Sequence, residues 1–160
     1  MVTRVIFAYR LVATANIGGA DTVYSQYLRG LLQIEDGRRP LKAFDEDLTS
    51  LIRVTREGNK QVILVIDVNQ NIVTGRFSAV LRQQSLREVV TEAFQGIPPP
   101  THSRGSDTIN DIFASTSIQS DNGGYLDFRH FLGENRALWW DAHEITIFGN
   151  KNPPAQTPSP

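Results

Sequence analysis

A chain of 160 residues with 40% hydrophobic and 9% aromatic content can bury one core and is short for two, so a single domain is expected. Its 16 Lys and Arg against 17 Asp and Glu give a net charge of -1, which excludes the global cationic excess of a tail-like nucleic-acid binder and leaves any such contact to a local patch. The lack of cysteine excludes a disulfide scaffold, a thiolate zinc site and a cysteine nucleophile, and the longest aliphatic run, Val62 to Ile66, falls far short of the ~20 residues of a membrane helix.

Val2 to Tyr9 mixes Val, Ile, Phe and Tyr and predicts a strand, followed by a loop at Gly18 and Gly19. Val23, Tyr24, Tyr27, Leu28, Leu31 and Leu32 then recur at three- and four-residue spacing, which predicts an amphipathic helix with Asp21 as its cap and Gly37 beyond its end. A second helix is predicted from Pro40, with Leu41, Phe44, Leu48, Leu51 and Ile52 on one face and Gly58 as a left-handed stop. Gln61 to Ile66 is β-branched, apolar on both faces and too short for a helix, hence a central buried strand. Ser85 and Glu88 form an S-x-x-E capping box and predict a helix running to Gly96, closed by Pro98, Pro99 and Pro100. Thr108 to Ser115 and Arg136 to Ile147 read as strands, with Asn122-Gly123-Gly124 as a turn between them. Residues 1–149 are assigned to one α/β domain. Residues 150–160, holding four of the eight prolines, are assigned to a disordered tail.

The buried strand delivers Asp67-Val68-Asn69 to its C-terminal end, where side chains leave a rigid element for a rim of loops. A carboxylate and an amide there serve either as a capped turn or as a site for a divalent ion and an activated water. His102, His130 and His143 show no metal-ligand spacing, and Arg38, Arg39, Arg53 and Arg56 read as a solvated helix face. Trp139 and Trp140 read as inner and outer residues of the last strand.

Three further segments complete a pattern. Pro100-Thr101 leads into Ile109-Asn110-Asp111-Ile112-Phe113; Glu134-Asn135 precedes Arg136-Ala137-Leu138-Trp139; and Phe7-Ala8-Tyr9-Arg10 stands upstream. In this order they resemble the endonuclease/exonuclease/phosphatase family, the deoxyribonuclease-I-like phosphoesterases with G-D-F-N, P-T…R-I-D and S-D-H-R motifs, over residues 4 to 148. The Ala8-Tyr9-Arg10 strand, Gly123-Gly124-Tyr125-Leu126 and Arg136 to Asp141 resemble its retroelement-like endonuclease branch. The resemblance implies part of a two-sheet α/β sandwich with flanking helices. It also implies Mg2+ or Mn2+ as cofactor, DNA as partner and phosphodiester hydrolysis as activity.

By the same resemblance Asp67 and Asn69 orient and deprotonate the attacking water, Tyr9 contacts phosphate, Glu134 occupies the metal-binding acid position, and Asn110 and Asn135 occupy those of the Asp and His that stabilise the phosphorane. The departures lie at those positions. Neither Asn110 nor Asn135 carries the charge its counterpart supplies, and the two family strands that precede the Tyr strand have no counterpart before Val2. The expectation is a truncated, catalytically impaired phosphoesterase, a pseudoenzyme, with an exposed edge strand paired to a second copy or to other polypeptide. The alternatives are a non-catalytic nucleic-acid- or protein-binding remnant of the fold, or an unrelated α/β structural domain.

Overall fold

Val62, Leu64 and Ile66 are 0–2% exposed, and the chain is arranged around the strand that carries them. The computed structural model describes residues 2–12, 22–130 and 133–149. The elements are β1 (Thr3–Tyr9), α1 (Val23–Gln33), α2 (Pro40–Glu57), β2 (Gln61–Asp67), α3 (Arg76–Gln83), β3 (Leu86–Glu88), α4 (Val89–Ala93), β4 (Asn110–Ser115), β5 (Ser120–Tyr125), β6 (Leu138–Ala142) and α5 (Glu144–Phe148). A four-stranded sheet runs β1-β2-β4-β3, with β1 parallel to β2 and both β2 and β3 antiparallel to β4; β5 and β6 form a second, antiparallel pair. The expected mixed α/β architecture is present, with helices flanking the larger sheet.

Strand β2 has a partner on each side and apolar cover on each face, which is what its unbroken aliphatic run requires. On one face Leu64, Ile66 and Phe113 pack with Leu48 and Ile52 of α2 and Phe77 and Leu81 of α3. At about 1.5–3 kcal/mol per fully buried side chain, this cluster is the main source of stability. On the other face Ile63 and Ala114 pack with Val89, Val90 and Ile118, and Leu138 and Trp140 of β6 close over them.

Several local expectations yield to longer-range contacts. The cap of α1 is Thr22, whose hydroxyl accepts the Ser25 N–H at 3.1 Å; Asp21, the Gly18-Gly19 loop and the 150–160 tail lie outside the described residues. Helix α2 does end at Gly58, but Gly58 has φ -74°, and Asn59, at φ 55°, makes the left-handed stop. The predicted helix from Ser85 to Gly96 is not formed. Ser85 has φ 54°, which is not the extended N-cap conformation, while Leu86 and Glu88 pair with Ser115 and Phe113 as β3. Only Val89–Ala93 is helical, and its first-turn N–H groups at Val90 and Thr91, which lack partners within the helix, are met by the carboxylate of Asp111, each at 3.1 Å. That cap comes from β4, so no local motif announces it.

The segment Asn122-Gly123-Gly124 lies within β5, not in a turn. Gly123 and Gly124 pair with Trp140 and Trp139, and a Cβ on Gly124 would stand 2.9 Å from the Trp139 indole nitrogen. These glycines provide room for an indole, a use of glycine in strands that mimics a turn signal in sequence. The predicted strand Arg136 to Ile147 is divided into β6 and the single turn α5, where the Thr146 hydroxyl bonds back to the His143 carbonyl at 2.7 Å. Among the described residues no helix is long and apolar enough to cross a membrane.

Candidate functional site

At the C-terminal end of β2 the register sets Asp67 beside Tyr9 on β1 and Asn110 on β4. The chain then turns through Asn69, at φ 52°, a left-handed conformation that asparagine tolerates. Asp67 Oδ1 accepts the Asn69 backbone N–H at 3.0 Å, and the Asn69 side-chain nitrogen donates to the Arg10 carbonyl at 2.5 Å. The Asx turn explains why an Asp and an Asn stand at this spacing. Burial raises the Asp67 carboxyl above its ordinary pKa, against the opposing pull of the Asn69 N–H and of His102. Asp67 is thus a better base than a solvated carboxylate.

Thr101 joins the neighbouring loop to this strand end. Its fully buried hydroxyl accepts the N–H groups of Ile109 at 2.8 Å and Asn110 at 3.2 Å and donates to Asn110 Oδ1 at 3.0 Å. With that oxygen held, the nitrogen of the Asn110 amide is the group available to a ligand. The same loop pairs with the segment before β6: Ser103 N–H bonds to the Glu134 carbonyl and Arg136 N–H to the Thr101 carbonyl, each at 2.8 Å, and His102 bridges Asn135. Segments separated along the chain therefore meet at one end of the larger sheet.

Tyr9, Asp67 and Asn110 line an open cleft of about 390 Å3 whose apolar wall is Phe7, Val65 and Leu138. Asn69 faces a second hollow of about 340 Å3 with His102, Ser106 and Asp107. Glu134 and Asn135 border this end through their pairing with the 101–103 loop and line neither hollow. The Glu134 carboxylate is bound to the Arg104 guanidinium, which holds it below the usual carboxylate range, and lies 3.4 Å from His102 Nε2. His102 Nδ1 accepts the Arg104 N–H at 3.2 Å, so both ring nitrogens are engaged. His143 pairs with Asp121 at 2.6 Å, away from the loop that holds His102. Thr101, His102 and Arg104 are the site-bordering residues whose roles the sequence does not reveal; the P-T loop is the one signal that pointed toward them.

The cleft offers a divalent cation a single carboxylate. Among the described residues no three His, Asp or Glu side chains are grouped to hold a metal, and Glu134 is committed to a guanidinium. Asp67 remains as the one carboxylate directed to the cleft, with amide oxygens of which that of Asn110 already accepts from Thr101. Magnesium takes six oxygens, several of them water, and is held by one or two carboxylates together with substrate phosphate, so Asp67 would be its one protein carboxylate here.

Fold and site together define a mixed α/β domain with a carboxylate-and-amide rim at the C-terminal end of its central strand. No family model, no curated protein and no solved structure matches the chain.

Proposed function

We propose that the chain is a phosphodiester-hydrolase-like domain of the endonuclease/exonuclease/phosphatase type with a degraded catalytic centre. It holds a DNA phosphodiester at the Tyr9–Asp67–Asn110 rim and hydrolyses it far more slowly than an intact centre would. The observation that supports this reading is convergence. Tyr9, Asp67 with Asn69, Asn110, and the Glu134-Asn135 segment come from four distant stretches and meet at one end of one sheet.

In this reading the Tyr9 hydroxyl and the Asn110 nitrogen donate to the non-bridging phosphate oxygens. Asp67, made more basic by burial, accepts a proton from the attacking water, the P–O bond to the leaving sugar oxygen breaks, and that oxygen takes its proton from solvent. The weakness has an equally local origin. Asn135 carries no charge to balance the one that develops on phosphate, and Glu134 is neutralised by Arg104. That ion pair also favours a second reading, a binding remnant of the same fold with no hydrolysis at all.

A plasmid-nicking assay with Mg2+ and with Mn2+, on supercoiled and abasic DNA, is paired with fluorescence anisotropy on a labelled duplex. The expected result is binding together with nicking about 10² to 10⁴ below the rate of an intact centre, lost in Asp67→Ala. Binding without nicking selects the remnant. Absence of both, or nicking that survives Asp67→Ala, ends the assignment.

A further inference from the structure

Among the described residues, strand β1 is the outer strand of the four-stranded sheet. Its ladder to β2 is fixed at both ends: the Val2 carbonyl accepts from Gln61 N–H, and Arg10 N–H donates to the Asp67 carbonyl. Even-numbered residues therefore turn their backbone groups toward β2. In a strand the alternate residues turn theirs the other way, so the N–H and C=O of Thr3, Val5, Phe7 and Tyr9 point outward along the edge. The same odd-numbered residues put their side chains on one face, where Val5 is 51% exposed, Phe7 77% and Tyr9 49%.

Edge strands are ordinarily shortened, bulged or guarded by charge or proline. The opposite edge, β3, is three residues long. β1 has seven residues and no bulge, no proline and no lysine; its one charge, Arg4, bonds to Thr55 at 3.2 Å on the helix-covered face.

We propose that this edge is a homodimerisation surface, on which β1 pairs antiparallel with β1 of a second copy about a two-fold axis at Ile6. That register brings all four outward-facing residues into hydrogen-bonded pairs: Val5 with the partner's Phe7, Thr3 with the partner's Tyr9, and the converse, for about eight backbone bonds. It sets Arg4 opposite the partner's Ala8, so no like charges meet. The exposed Val5, Phe7 and Tyr9 of the two copies become one continuous apolar strip across the junction. The Thr3 hydroxyl donates to the Ile147 carbonyl at 2.8 Å, which sets α5, with Ile145 and Phe148 exposed, beside the position that the partner's Tyr9 reaches. On the order of 1,000 Å2 in all is available for burial, at the lower limit for a specific interface, so the association is expected to be weak and concentration-dependent. This inference stands on the edge alone and does not rest on the hydrolase reading.

Sedimentation equilibrium from 1 to 200 µM tests it on the whole chain, beside Phe7→Lys and Val5→Pro. Proline at position 5 removes an outward N–H and leaves the ladder to β2 intact. The expected result is a monomer–dimer equilibrium that weakens at least tenfold in both variants. In the wild type, hydrogen exchange at the Val5 and Phe7 amides is expected to slow at least tenfold as concentration rises, while exchange on β2 does not change. A monomer at every concentration overturns the proposal, whether or not it then captures a strand from another protein. So does a dimer in which the Val5 and Phe7 amides exchange freely.

Discussion

Replacing Thr101 by valine keeps the shape of a fully buried side chain and removes one oxygen, and the consequences can be traced bond by bond. The hydroxyl serves the N–H groups of Ile109 and Asn110 and the Asn110 side-chain oxygen. Each is left without that partner in a partly buried setting, where an unmet polar group costs about 1–3 kcal/mol. Some water reaches Ile109 and Asn110, so the sum falls near the lower end, about 2–4 kcal/mol, or a fall in Tm of about 4–16 °C for a domain of this size. Thr101→Ser keeps the oxygen and loses a methyl group, with an expected cost of about 1 kcal/mol. Urea unfolding followed by circular dichroism measures both. If the valine variant lies within about 0.5 kcal/mol of wild type, the loop is held by its backbone pairing with residues 134–136, and the hydroxyl is incidental.

Three further outcomes follow from particular contacts. Asp45→Asn removes the bidentate partner of the buried Arg10 guanidinium, bound at 2.7 and 2.8 Å, and is expected to cost about 2–3 kcal/mol in the same urea assay; Asp45 keeps contact with water, which keeps the loss below the fully buried range. Gly124→Ala drives a methyl group into the Trp139 indole and is expected to cost about 1–3 kcal/mol, with a change in tryptophan fluorescence that a mutation elsewhere on β5 does not produce. Burial pushes Asp111 up to about 7, above its unfolded value near 3.9, so the stability that it contributes is fully present below about pH 4 and is lost as pH rises through 7. Between pH 8 and pH 5 this one group is expected to add about 2–3 kcal/mol, a difference that wild type shows and Asp111→Asn does not.

Elements that rest on their own residues are legible in the sequence. The unbroken aliphatic run of β2, the three- and four-residue spacing on the face of α2, and the β-branched and aromatic mix of β1 are each long enough to define their elements. Ser85 and Glu88 show the limit: their spacing satisfies a capping box, yet Glu88 sits 2.6 Å from Arg82 on the preceding helix and pairs with Phe113 on β4. A helix of eight residues, α3, buries Phe77 and Leu81 and is too short for its spacing to define it in the sequence. The candidate site is legible in its Asp67–Asn69 turn, which is local, and in the order of its segments. The ion pair that engages Glu134 is not, because Arg104 lies 30 residues from it along the chain.

The ladders of β2 also bear on how this chain reaches its fold. Its contacts span 58 residues to Thr3 and 53 to Ser115, so no hairpin nucleates the larger sheet. Both loops must close before either ladder offers a return, which places the domain among the slower folders of its size. During synthesis the run Val62 to Ile66 leaves the ribosome with β1 available on one side and nothing on the other until residue 115 has followed. For that interval the most apolar strand of the protein is itself an edge, and the yield of folded chain depends on how quickly β4 arrives to cover it.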